Sequence, residues 1–182
     1  TGTLFSNGSS GHVSPGNSPG CQTYSNGFTS IGSLDIEVNG TATACTDYDK
    51  ITVVGTATLG GTLNATIGYS PTGGDQVTII DASVISGTFS TVNAPANWSV
   101  AYNYPTTGKV TLRYCIPSGD FRTIASGDWS NSANWEKYNG CSWVPTVVAP
   151  TLSDNTITIR NGHTIHQDLN QEIDQVVIEA GG

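Results

Sequence analysis

The chain predicts an all-β protein organised as a parallel β-solenoid, or β-helix, and three observations carry that prediction. Gly, Thr, Ser and Asn crowd the polar positions, the vocabulary of pleated strands and of turns that need positive φ. Apolar and polar residues alternate in short bursts, and no window of eleven or more residues holds a 3.6-residue period, so helix is expected to be nearly absent. Small and β-branched residues dominate runs such as Gly55-Thr56-Ala57-Thr58-Leu59-Gly60; placed inward, they suit the narrow interior of stacked coils.

The bursts follow one another with turn residues between them. Leu34, Ile36 and Val38 alternate with Asp35 and Glu37, which keep the outer face soluble; Leu63, Ala65 and Ile67 alternate with Asn64 and Thr66; Val110, Leu112 and Tyr114 alternate with Thr111 and Arg113. Asn39-Gly40, Gly60-Gly61, Gly73-Gly74, Ser86-Gly87 and Thr107-Gly108 are the expected turns. Bursts at Leu34, Ile51, Leu63 and Val77 recur at roughly 12 to 17 residues, a spacing that fits successive strands of a coil and also a hairpin sandwich. The small inward residues favour the coil, with parallel pairing over about residues 20 to 80. Beyond Val77 the aromatics Phe89, Trp98, Tyr102 and Tyr104 accumulate, as expected of a cap over the last, otherwise unpaired strand edge.

Several segments carry a family resemblance. Val13-Ser14-Pro15-Gly16-Asn17-Ser18-Pro19-Gly20, Asp49 to Leu63, Gly87-Thr88-Phe89 and Trp98 to Asn103 together resemble, in that order, the β-strand repeat associated with autotransporter passengers and large secreted adhesins. Ser126-Gly127-Asp128-Trp129-Ser130-Asn131, Asn134-Trp135, Pro145, Asn155 to Ile165 and Val176 to Gly182 resemble the Trp-opened module that begins many secreted β-helix proteins. The Gly-, Thr- and Asn-rich style is also similar to that of the adhesins of gliding bacteria exported by type IX secretion. These resemblances imply that residues 1–115 are the end of a β-solenoid repeat with an aromatic-rich cap. They make residues 116–182 the start of the next module. Pro117 followed by Ser118-Gly119-Asp120 independently ends a strand at this boundary.

Charge and cysteine content narrow the function classes. Six Lys plus Arg against fourteen Asp plus Glu leave a net charge of −8, which repels a phosphate backbone, so nucleic acid is not an expected partner. No apolar run approaches the ~20 residues of a membrane helix, so insertion is not expected either. Met is absent, so Thr1 is taken as the start of a mature product or an excised window. Cys21, Cys45, Cys115 and Cys141 allow three pairings; the neighbour pairing is the simplest, each bridge closing one local excursion, and it is the one expected. None has C-x-x-C spacing, which argues against zinc and for an oxidising, extracellular setting.

The remaining motifs have weak claims to chemistry. Gly16-Asn17-Ser18-Pro19-Gly20 spells the hydrolase elbow G-x-S-x-G, but Pro19 lacks the N–H an oxyanion hole needs there. His163 and His166, read as three apart on one strand, point to opposite faces, and His12 stands apart from both. Asp47 and Asp49 flank Tyr48 and are the calcium candidates, although a turn role explains them more simply. Trp129, Trp135 and Trp143 lie close in sequence; the resemblance assigns the first two to structure and leaves Trp143 as the candidate for stacking on a sugar ring. Sequons at Asn7, Asn39, Asn64 and Asn97 arise readily by chance in so Asn-rich a chain.

The expected function is that of a stiff structural or adhesive segment in a tandemly repeated fibre on the bacterial cell surface. Its partners would be neighbouring repeats of the same chain or fibre, with surface glycans as ligands. No catalytic residue and no cofactor beyond the calcium candidates is expected. The alternatives are a carbohydrate-binding β-sandwich, distinguished by antiparallel pairing, and a fragment of a polysaccharide-active β-helix enzyme, which requires clustered carboxylates, or a Lys or Arg base with acidic partners, along one groove.

Overall fold

The computed structural model describes residues 5–16 and 18–182 and divides the chain into two compact units, Thr1–Tyr114 and Cys115–Gly182. The protein is all-β. Among the described residues one 3₁₀ turn, Ser132–Asn134, is the sole helical element, and no sheet closes into a barrel.

In the first unit the strands are β1 (Phe5–Ser6), β2 (His12–Val13), β3 (Cys21–Tyr24), β4 (Phe28–Ser30), β5 (Ser33–Val38) and β6 (Lys50–Leu59). They are followed by β7 (Thr62–Ile67), β8 (Gln76–Gly87), β9 (Thr91–Asn93), β10 (Trp98–Tyr102) and β11 (Lys109–Tyr114). β2, β5, β7 and β9 form one sheet and the others a second, so the chain changes sheet at every connection from β4 to β9. All pairings among β1 to β9 are parallel. The register repeats: Ser33 pairs with Thr62 and Thr62 with Thr91, Phe28 with Ala57 and Ile51 with Ile80, each partner 29 positions further along.

Period-two patterning explains this packing. Leu34, Ile36 and Val38 are buried in β5, as are Leu63 and Ala65 in β7, and they share one core with Phe28, Ile51, Val53 and Ala57 of the other sheet. Each fully buried Leu or Ile contributes about 2 kcal/mol. In β6 the register shifts between Val53 and Thr56, where Gly55 takes φ +104°, a bulge that L residues resist. Beyond the bulge Ala57 and Leu59 point inward, so Thr56 and Thr58, expected inside, face solvent instead. The interior is filled mainly by Leu, Ile, Val and Phe. β11 then joins β8 antiparallel and β10 joins β11 antiparallel, with Trp98 buried against Tyr69 and Tyr114.

The second unit contains β12 (Phe121–Thr123), β13 (Gly127–Asp128), β14 (Trp135–Tyr138), β15 (Trp143–Pro145), β16 (Ile157–Ile159), β17 (Ile165–His166) and β18 (Val176–Ile178). One sheet runs β15-β14-β12-β16-β18, antiparallel on the β14 side of β12 and parallel on the β16 side; β13 and β17 form a parallel pair. Its core is Phe121, Trp129, Trp135 and Ile157. The single strand expected to carry both His163 and His166 does not form: a turn at Asn161-Gly162, where Gly162 has φ +80°, follows β16, and β17 begins only at Ile165. His163 therefore lies in a loop rather than on a strand with His166.

Candidate functional site

The cysteine loop of the first unit is built around a buried carboxylate. Cys21, at the start of β3, is bridged to Cys45 with 4.9 Å between their Cα atoms. Asp49, just before β6, is 1% exposed and accepts the backbone N–H of Gly20 at 2.6 Å and of Glu37 at 2.8 Å, one on each oxygen. Burial pushes its carboxyl up from the ordinary value, and the two N–H bonds oppose that shift. Asp47 accepts the N–H of Thr43 at 2.8 Å. Both calcium candidates are thus committed to backbone donors, and among the described residues no group of three or more His, Cys, Asp or Glu is placed to hold a metal ion. Asp49 is a buried clasp between the residue preceding β3 and β5 of the other sheet rather than a turn residue.

Polar side chains also form ladders across the parallel strands. Asn64 donates to Asp35 at 2.6 Å and Asn93 to Asn64 at 2.8 Å, one residue from each of β5, β7 and β9. His12 of β2 meets the same Asp35 at 3.1 Å. On the other sheet Asp81 lies between Lys50 and Lys109, at 3.1 and 2.7 Å. Asp35, expected only to solvate its face, is a rung of the first ladder, and Glu37 accepts the hydroxyl of Ser18. Asn17, within the elbow-like run, lies outside the described residues.

The tryptophans divide as their surroundings dictate. Trp129 and Trp135 are buried, donating their ring N–H groups to the carbonyls of Pro150 and Trp129, each at 2.9 Å. Trp143 is half-buried, with the Arg122 guanidinium 4.4 Å from its ring centroid and Tyr138 packed at 5.3 Å. Arg122 is held in turn by Glu136 at 2.5 Å. A sugar stacking on that face would have to displace Arg122 from both partners. Cys141, close by in β14–β15 connection, is bridged to Cys115. His163 bonds Thr123 at 2.7 Å, and His166 stands 3.4 Å from Asp128.

A concave surface of about 490 Å³ lies on the outer face of the first unit, lined by residues including Ser25, Asn26, Thr29, Thr56 and Thr58. It carries hydroxyls and an amide and no charged side chain. The signal for it was the alternation of Thr56 and Thr58 with Ala57 and Leu59, which fixes the threonines on the outside. No helix among the described residues is long and apolar enough to cross a membrane. No family model, curated protein or solved structure matches the chain.

Proposed function

We propose that the chain is a structural segment of a secreted, repeat-built surface fibre, whose first unit is a run of β-solenoid coils. The carrying observation is the parallel register from β3 to β9, offset by 29 positions except beyond the β6 bulge, where it is 28, while the chain passes between two sheets. One further coil can be added to such a ladder without changing the fold, which is how stalks lengthen. The Asp35–Asn64–Asn93 ladder supports the same reading, because it ties register-equivalent positions of three successive parallel strands. Two disulfides favour an oxidising, extracellular site. Parallel pairing from β1 to β9 weighs against a carbohydrate-binding sandwich, in which neighbouring strands run antiparallel.

Protease shaving of intact source cells, followed by peptide mapping without reductant, tests this reading. Peptides of this chain should be released from outside the cell, with Cys21–Cys45 and Cys115–Cys141 linked. Recovery only from the cytoplasm, with four free thiols, rejects it, and so does measurable turnover of a polysaccharide by the purified chain.

A further inference from the structure

Five Asn-Gly dipeptides occur in the chain, at Asn7, Asn26, Asn39, Asn139 and Asn161. Such a pair can modify itself, because glycine, having no Cβ, lets its backbone nitrogen reach the carbonyl carbon of the asparagine side chain. The reaction needs a glycine N–H and an asparagine amide that the fold has not already engaged. Four of the five fail that requirement. Asn7 accepts the N–H groups of Ile31 and Gly32 at 2.9 and 3.0 Å and donates to the Ser33 carbonyl at 3.1 Å, so its amide is held at both ends. Gly27 is buried and gives its N–H to the Val54 carbonyl at 3.0 Å, which occupies the nucleophile beside Asn26. The Asn139 side chain accepts the N–H groups of Cys141 and Ser142 at 3.0 and 2.9 Å, in a turn that points it past Gly140. Gly162 donates to the Gly181 carbonyl at 2.8 Å, which occupies the nucleophile beside Asn161. Asn39-Gly40 differs from all four. It follows β5 at the start of the loop that carries Cys45, and Asn39 is exposed. Its backbone N–H is tied to the Asp47 carbonyl at 2.6 Å, but among the described residues neither its side-chain amide nor the Gly40 N–H has a hydrogen-bond partner. The side-chain oxygen rests against Gly68, which offers it no bond.

We propose that Asn39 is a self-modification site, converting to isoaspartate and aspartate without an enzyme while the chain is folded. The Gly40 nitrogen loses its proton to solvent base and bonds to the Asn39 side-chain carbonyl carbon. The bond from that carbon to the amide nitrogen breaks, and ammonia leaves after taking up a proton. The five-membered imide that results is opened by one water molecule at either of its two carbonyls, so the net change is water in and ammonia out. Opening at the side-chain carbonyl gives aspartate, and opening at the main-chain carbonyl gives isoaspartate. Either product places a new carboxylate near Asp47, whose side chain already flanks Gly40. Isoaspartate also lengthens the main chain by one methylene just after the Asn39 N–H that anchors the loop to Asp47. The anchor is weakened while the Cys21–Cys45 bridge keeps the loop attached. The site lies within the first unit and does not depend on the fibre reading.

The test is incubation of the full chain at mildly alkaline pH, folded and, in parallel, reduced and unfolded in guanidinium. Peptide mass mapping follows each of the five asparagines, where conversion of the amide to a carboxyl adds about one mass unit. Comparing each site with itself in the unfolded chain cancels the effect of its sequence neighbours. Folding should slow Asn7, Asn26, Asn139 and Asn161 by about tenfold or more and leave Asn39 within about threefold of its unfolded rate. The first acidic form to appear in the folded chain on ion exchange should carry its change at residue 39, and Asn39→Gln should lack that form. Slowing of Asn39 on folding as great as that of the other four overturns the proposal. So does any of the four converting as fast folded as unfolded, or persistence of the early acidic form in Asn39→Gln.

Discussion

Asp49 and Asp81 are both carboxylates of the first unit, yet their surroundings make stability depend on pH in opposite senses. Asp49 is buried with a raised pKa, so the folded state holds its proton more tightly than the unfolded chain. Its contribution is therefore greatest in acid and declines as pH rises from the ordinary carboxylate value through the raised one. The Lys109 ammonium, with Lys50 beside it, holds Asp81 below its ordinary range against partial burial. That contribution is present above the ordinary value and is lost as pH falls through the lowered one. Subtracting the unfolding free energy of Asp49→Asn from that of the wild type across an acid titration should give a falling curve, and Asp81→Asn a rising one. Two curves of the same slope would show that one of the two environments is misassigned. At neutral pH Asp49→Ala leaves the Gly20 and Glu37 N–H groups without their acceptor and should cost about 3 kcal/mol. Denaturant unfolding of the variant measures that loss directly.

Turns as well as strands stack in the first unit, and glycine makes that possible. Gly61 takes φ +52° between β6 and β7, and a Cβ there would run into the Gly32 carbonyl and the Ile31 backbone of the preceding turn. Gly74 also has positive φ, +95°, but faces open space. Gly74→Ala should therefore cost only the backbone strain, about 1 kcal/mol, whereas Gly61→Ala adds a backbone collision and should cost at least about twice that. Equal losses in thermal unfolding would mean that the turns do not touch. The strands themselves were legible wherever one face is buried, since Leu34, Ile36 and Val38 expose their period of two directly. Legibility failed in two ways. β6 keeps one phase across the Gly55 bulge, with Ile51, Val53, Ala57 and Leu59 all buried, so the inward placing of Thr56 and Thr58 went against the alternation itself; and the turn at Asn161-Gly162 interrupts the period, leaving His163 in a loop before β17. The buried role of Asp49 was hidden for another reason: its partners are backbone N–H groups 29 and 12 positions away, and side-chain chemistry carries no trace of them. The covering of Trp143 depended likewise on Arg122, two strands away in the sheet order.

The two compact units carry unequal means of staying folded. Among the described residues the first gathers eighteen buried apolar residues into one core, the second four, with only about 70 residues to enclose them. A chain of that size buries a smaller fraction of its surface than a larger domain does and commonly needs a covalent staple, here Cys115–Cys141. Closing a segment of that length contributes about 3 kcal/mol, and in a unit this small each kcal/mol corresponds to about 4–8 °C of Tm. Trp129, Trp135 and Trp143 belong to the second unit and Trp98 to the first, so tryptophan fluorescence reports mainly on the second. Heating should accordingly give two transitions, the earlier one dominating the fluorescence and the later one dominating the far-ultraviolet signal of the strand-rich first unit. Replacing Cys115 and Cys141 with Ser should lower the fluorescence transition by about 10 °C or more while leaving the later one in place. Replacing Cys21 and Cys45 should do the reverse, lowering the later transition alone. If either pair of substitutions moves both transitions together, the units do not unfold independently, and the separate cores fail to account for how the chain holds its shape.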